Sequence, residues 1–325
     1  MQRTVRRLAV LLFVFFAGTS GAQTFPSRPI QVIVPYGAGG VTDAIARIVV
    51  PHVSESVGQP VLVENRPGAS TMIGMAACAK AAPDGYTVCI TVPDSLSYNP
   101  HLFTKVLYDP DRDFIPVTNL GWSSNLIAAN ANAPFKNFRE MIAYAKSKPG
   151  ALNWGTWGEG TLPDVYLKWV AHQAGIKITA IPYKGAAQLN PALYAGEVDI
   201  TYLGFGTALP QIKAGKIRAL VAVGSRRSPY MPDLPTLAEE GGDPGLPSYF
   251  GVFAPAKTPQ AIIARLNAEF AKAVHVPSAE EALRRFTVEP VGNSSAEFAL
   301  FVKADRDNAG KVFRMMGIRQ TDAPQ

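Results

Sequence analysis

Two cysteines and four histidines are all the thiols and imidazoles that this chain of 325 residues holds, and each scarcity removes a class of protein. Two cysteines cannot build a disulfide-dense scaffold. His52, His101, His172 and His275 are scattered without ligand spacing, so no zinc site is read from them. There is no His-Glu-x-x-His and no Gly-x-Ser-x-Gly elbow, and no catalytic residue is assigned. Adjacent basic residues are equally sparse. Past the N-terminal segment they occur only at Arg226-Arg227 and Arg284-Arg285, too far apart in sequence for a stripe of phosphate contacts. The first pair reads as a solvated loop and the second as a solvated helix face. What is plentiful is apolar residues, 47% against 17% charged, which excludes disorder and allows sizeable cores. The length suits one large or two ordinary domains.

The one long apolar run lies at the start. Arg3, Arg6 and Arg7 precede Leu8–Ala17, and small residues fill positions 18–22. This is the plan of a secretory signal cut after Ala22; the run is half the ~20 residues a membrane anchor needs. The mature chain is therefore expected to be periplasmic and soluble, with 28 basic and 25 acidic residues and a net charge of +3. Cys78 and Cys89 then meet an oxidising compartment. They pair if the helix carrying Cys78 turns that residue to the sheet; otherwise they are two buried thiols.

Short β-branched runs recur at Ile30–Val34, Val61–Val63, Tyr86–Val92, Ile115–Leu120, Asn125–Ala129, Ile176–Pro182, Val198–Leu203, Ile217–Val223 and Tyr249–Ala254. Amphipathic stretches at Asp43–Val57, Met72–Ala81, Phe138–Ser147, Asp164–Ala174 and Pro259–Val274 lie among them. The alternation predicts an α/β fold with mainly parallel, covered sheets. Gly58, Gly150, Gly175, Gly196 and Gly215 stand where helices should stop. Pro51 and Pro191 fall inside helical stretches and predict a kink or break. Roughly 300 residues are many for one core, so two lobes are expected, residues 23–125 with 249–325 and residues 126–248, joined near Ser123–Asn130 and Ser248–Ala254.

Three strand-to-helix turns are rich in glycine. Gly37-Ala-Gly39-Gly40-Val-Thr42-Asp43 lacks the lysine of a phosphate loop and the third glycine of a dinucleotide fingerprint. Its glycines still permit close backbone approach, and the helix start offers free N–H groups at the positive end of the dipole, which suits an anion. The alternative is a plain turn in which Thr42 caps the helix. Trp154-Gly-Thr-Trp157-Gly-Glu-Gly160-Thr161 runs into a second helix whose first turn suits Pro163 and Asp164. Pro182-Tyr183-Lys184-Gly185 opens a third, where Lys184 either meets a carboxylate or points to solvent.

Phe25–Asp43, Val63-Glu-Asn-Arg-Pro-Gly68, Ala81-Ala-Pro-Asp-Gly-Tyr-Thr87, Asn99-Pro-His-Leu102, Pro182-Tyr-Lys-Gly185, Ile212–Arg218 and Phe253-Ala-Pro255, taken in order over nearly the whole mature chain, resemble the Bug-type extracytoplasmic receptors of tripartite tricarboxylate transporters. The resemblance implies a two-lobed periplasmic binding protein of the type II fold. Such a protein closes on a small carboxylic acid and presents it to a membrane permease, with no cofactor, no metal and no covalent chemistry. Carried onto this chain it implies ligand contacts from Tyr36, Gly37, Ala38, Gly39, Gly40, Thr42 and Asp43. The second turn contributes Thr156, Trp157, Gly158, Glu159 and Thr161, and the third Tyr183, Lys184 and Gly185. Gly204 and Phe205 join them from a later strand end.

The chain departs from the family pattern where Trp157, Glu159, Leu162, Pro163 and Asp164 replace small hydroxylic residues and a histidine, and where Leu203-Gly204-Phe205 stands near the usual position of an aspartate. Trp154, Trp157 and Phe205 would favour an aromatic acid over an aliphatic dicarboxylate, although Trp154 is equally placed to be core. Glu159 would favour an amine or hydroxyl on the ligand. The reading is of a monomeric receptor; a sensing subunit for a signalling partner and a secreted α/β hydrolase or lyase are its rivals.

Overall fold

The computed structural model describes residues 25–224 and 227–322. The expected signal, its cut after Ala22, and Arg226 lie outside them. In chain order the elements are β1 (Ile30–Val34), α1 (Val41–Val57), β2 (Val61–Asn65), α2 (Met72–Ala79), β3 (Thr87–Thr91) and a π-helical turn (Asp94–Tyr98) that runs into α3 (Asn99–Leu102). Then come β4 (Phe114–Ser123), β5 (Asn125–Asn130), α4 (Phe138–Ser147), β6 (Asn153–Thr156), α5 (Leu162–Ala174), β7 (Thr179–Pro182) and α6 (Ala186–Ala195). β8 (Ile200–Gly204), α7 (Phe205–Lys213), β9 (Ile217–Ala222), β10 (Tyr249–Pro255), α8 (Gln260–Val274), α9 (Pro277–Arg285), β11 (Val288–Pro290) and α10 (Ser295–Met315) complete them.

The strands form two sheets, ordered β11-β4-β10-β3-β1-β2 and β7-β6-β8-β5-β9. Each contains a parallel trio, β2-β1-β3 or β7-β6-β8, because its strands are joined through helices. Each trio is flanked by one antiparallel strand, β10 or β5, which pairs onward with β4 or β9. Four of the six strands and four of the five share a direction, but with β10, β11 and β5 reversed the pairings are four parallel and five antiparallel, so both sheets are mixed. Two of the reversed strands are those on which the chain arrives from the other sheet: β5 follows β4 after Ser124 alone, and β10 follows the segment after β9.

Burial explains why these residues choose these elements. β1 is almost wholly inaccessible, as expected of a strand covered on both faces. α1 lays Ile45, Ala46, Val49, Val50 and Val53 on it, and burying each of the larger side chains contributes about 1.5–3 kcal/mol. That packing carries the helix straight through Pro51, so no break occurs there, and α6 likewise runs through Pro191. Both prolines lie on exposed faces, where the carbonyl that loses its N–H partner is hydrated. Gly58, Gly175 and Gly196 are left-handed C-caps.

Elsewhere the strand before Pro182 begins only at Thr179, and α9, β11 and α10 were not signalled by β-branched runs. α10 starts on a capping box between Ser294 and Glu297 and buries Phe298, Val302, Ala309 and Phe313. α2 does turn Cys78 to the sheet: Cys78 and Cys89 are fully buried and joined in a disulfide, with Cα atoms 6.1 Å apart.

Candidate functional site

The first glycine turn is held from beneath by one carboxylate. Gly39, at φ +81°, donates its N–H to Asp43 Oδ2 at 2.9 Å. Asp43 Oδ1 accepts from Arg47 Nε at 2.9 Å and Asn65 Nδ2 at 3.0 Å. Asn65 also donates to the Tyr36 carbonyl at 3.0 Å. Burial alone would raise the Asp43 pKa, but the bonds from Arg47, Gly39 and Asn65 outweigh it and lower it. Asp43 and the Gly39 N–H are thus engaged in shaping the turn. The helix N-cap is Gly40, without a side-chain cap; Thr42 is buried and is not the cap. The first N–H groups of α1 are therefore left to other partners, and Gly37, Ala38 and Gly39 are exposed above them.

The second turn repeats the device at the same spacing. The Gly160 N–H, at φ +80°, donates to Asp164 Oδ2 at 2.9 Å, and Lys168 Nζ lies 2.9 Å from the same oxygen. Thr161 is the N-cap of α5 but sends its hydroxyl to the Gly158 carbonyl, 2.8 Å away, instead of capping. Thr156 Oγ1 accepts from the Gly158 N–H at 3.3 Å. The third turn is beside it: the Tyr183 N–H reaches the Thr156 carbonyl at 2.9 Å, and the rings of Trp157 and Tyr183 pack on the same cluster. Lys184 is exposed, and Gly185 is the N-cap of α6.

Other expected residues fall differently. The Glu159 carboxylate is exposed and lies 3.5 Å from Lys168 of α5, so its charge is already matched. Trp154 and Phe205 are fully buried in core clusters, and Phe205 lies against Tyr230. That packing leaves half-buried Trp157 alone among the three aromatic candidates. Gly204 caps α7, whose first N–H groups cross to the other sheet: Phe205 to the Ser124 carbonyl at 3.1 Å and Gly206 to Thr287 Oγ1 at 3.0 Å.

The lobes meet at the second turn. Ser70 Oγ donates to the Glu159 carbonyl at 3.2 Å. Gly160 sits so close to Leu102 and Phe103 that a Cβ there would come within 2.9 Å of the leucine. The first turn, by contrast, has open space above Gly37 and Gly39. A cavity of about 800 Å³, lined among others by Leu107, Asp109 and Arg306, lies elsewhere in the first lobe.

Several residues at this junction were not singled out from the sequence. Gly68, Ala69, Ser70 and Thr71 all have positive φ, 124°, 45°, 49° and 78°, a strained run of the kind that clusters at functional sites. Thr71 Oγ1 accepts from Ser95 Oγ at 2.8 Å and Asn99 Nδ2 at 3.2 Å, and Ser95 pairs with Thr91 Oγ1 at 2.6 Å. Beside this network stand two buried aspartates. Burial pushes Asp94 up to about 8 and Asp305 up to about 7. The available signal was that Arg66–Thr71 and Val92–Asn99 also join a strand to a helix, without the glycine density that drew attention to the other turns.

The model of the tripartite tricarboxylate transporter family receptor matches residues 45–318. A structure described as a periplasmic transporter superposes with a TM-score of 0.85 at 33% identity, over 91% of this chain and 99% of that one. An R. palustris protein solved with adipate gives 0.85 and 33%, over 91% and 100%. MatC from Rhodopseudomonas palustris, with bound malate, gives 0.81 and 31%, over 89% and 99%.

Proposed function

The chain belongs to the tripartite tricarboxylate transporter family of receptors, and from that membership we propose that it is a periplasmic solute receptor that closes on a small carboxylic acid and delivers it, unchanged, to the membrane subunits of such a transporter. The observation that carries the reading is the pair of helix starts, α1 and α5, each uncapped by a side chain and each shaped by an identical glycine–aspartate–cation chain. Uncapped N–H groups at the positive end of a helix recognise a carboxylate through the backbone. Such recognition suits a receptor that must also release its cargo.

The ligand is held by the turn from Tyr36 to Thr42, by the turn from Thr156 to Thr161, and by Tyr183 to Gly185. Asp43 acts through the shape of the first turn. Residues 23–125 with 249–325 form one lobe and 126–248 the other, and the protein works as a monomer. Crossing at Ser124 and at the segment before Tyr249 lets the lobes rotate about two connections, so that occupancy is reported by closure. The buried Cys78–Cys89 disulfide accords with export. The solved relatives carry adipate and malate in their descriptions, so an aliphatic acid is the first class to test.

Titration calorimetry with a panel of aliphatic and aromatic carboxylates tests the reading, with Gly39→Val alongside the unaltered chain. Positive φ is costly for a β-branched residue, whereas its side chain meets no neighbour. The variant is expected to melt cooperatively and to bind no acid. Undiminished affinity in Gly39→Val would remove the first turn from the site.

A further inference from the structure

Asp94 is 2% exposed, and neither carboxylate oxygen has a side-chain hydrogen-bond partner among the described residues. A buried carboxylate left this way is costly, and its place in the fold gives it a use. It sits on the turn after β3 in the first lobe and faces the Leu162 N–H, the start of α5 in the second, which together with its own main-chain N–H offsets only part of the cost of burial. The phenols of Tyr36, from the first glycine turn, of Tyr98, and of Tyr202, from β8, bear on it. Their hydroxyls are also buried and unpartnered among the described residues. An acidic group ringed by phenols therefore stands where both lobes converge, and no lysine or arginine pairs with it among the described residues.

Resting on the receptor reading above, we propose that Asp94 is the specificity residue of the interlobe site: its carboxylate receives an ammonium group on the cargo, which makes the preferred ligand an amine-bearing carboxylic acid. The α1 start binds one end of such a molecule, and Asp94, beside the α5 start, binds the other with the phenol rings through an ion pair and cation–π contact. The second carboxylate of a plain dicarboxylate offers Asp94 no ion pair, and repels it wherever Asp94 is ionised. Glu159, the acidic residue that the sequence put forward for this role, is exposed beside Lys168.

The geometry also couples binding to a proton. Asp94, raised to about 8, is protonated at pH 6.5 in the free protein and ionised beside an ammonium. The other titratable groups facing it are Tyr36, Tyr98, Tyr108, Tyr202 and Tyr249, whose phenols burial keeps protonated. Asp305, which faces Tyr98 and Tyr249, is the nearby carboxyl that titrates in the same range.

The test is calorimetry with hexanoate, 6-aminohexanoate, 6-hydroxyhexanoate, adipate and 2-aminoadipate on the unaltered chain, Asp94→Asn and Asp305→Asn. One amino acid is expected to bind the unaltered chain about tenfold or more tighter than its amine-free counterpart. Asp94→Asn should erase that advantage, while Asp305→Asn keeps it. At pH 6.5, in two buffers of different ionisation heat, amine binding to the unaltered chain should release about one proton. This readout needs no variant to fold. The proposal is overturned if the amine brings no advantage, if the advantage survives in Asp94→Asn, or if 6-hydroxyhexanoate gains as much as the amine. Binding of plain acids without an amine preference would strike this proposal alone, whereas no binding by any acid would strike the receptor reading with it.

Discussion

A carboxylate under a turn and a carboxylate in a core respond to pH in opposite senses, and this chain has both. Asp43 is stabilised in its ionised form by Arg47, the Gly39 N–H and Asn65. Its folded pKa lies below its unfolded one, so its contribution is present above the unfolded value and is lost as pH falls through the folded value. Asp94 and Asp305 are raised, to about 8 and about 7. Their contribution is complete below the unfolded carboxylate range and is lost as pH climbs toward those values. The expected outcome is that urea-determined stability declines between pH 5 and pH 8, and that Asp94→Asn together with Asp305→Asn flattens the decline. An unchanged slope in the double variant would contradict this assignment of the two groups.

Of these residues only Asp43 was legible in the sequence, because it ends a glycine-rich turn. Asp94 and Asp305 sit in segments with no such marker, and what makes them notable, burial without a partner, is a property of packing.

At the scale of elements, the turn between β2 and α2 is the strained one, and α2 is the element behind it. Four successive positive φ values persist only where the surroundings impose them. Thr71 is held by Ser95 and Asn99, and the Cys78–Cys89 bond ties the far end of α2 to β3. The loop it closes spans 11 residues, for which chain entropy gives a stabilisation of about 3 kcal/mol. Cys78→Ala with Cys89→Ala is therefore expected to lower unfolding free energy by about that amount, read from denaturant midpoints, with no loss from alkylating the intact chain under non-reducing conditions. Ready alkylation of the intact chain would mean that the bond is not formed.

The alternation of β-branched runs and amphipathic stretches was enough to locate most of these elements, since covered strands and one-sided helices write their burial into their period. It was silent on pairing: whether Cys78 faced the sheet depended on how α2 docks, and the reversed strands β5 and β10 look in sequence like their parallel neighbours. The prolines misled because a local rule was applied to helices whose apolar faces outweigh it.

Across the whole molecule, two sheets of matching order are joined where the chain passes between them, at Ser124 and in the segment before Tyr249. The links are stitched by main-chain bonds, Ser123 N–H to the Ser248 carbonyl at 2.9 Å and Ser124 N–H to the Thr287 carbonyl at 3.2 Å. The contact of Ser70 with Glu159 and the packing of Gly160 on Leu102 place the second glycine turn against the first lobe, where a captured acid would be shut away from water. Two lobes were legible from length and from the motif series. Which side chains meet between them was not, because contacts across a gap follow from the closure angle and leave no period in the chain.

The central claim is that this closure captures a small carboxylic acid and leaves it chemically unaltered. Denaturing the protein as purified and identifying by mass spectrometry what it releases tests that directly. The account predicts one small carboxylic acid, intact and close to equimolar with the chain, and absent from Gly39→Val prepared in parallel. Release of a molecule without a carboxylate, or conversion of an added acid into a new product by the intact protein, would contradict it.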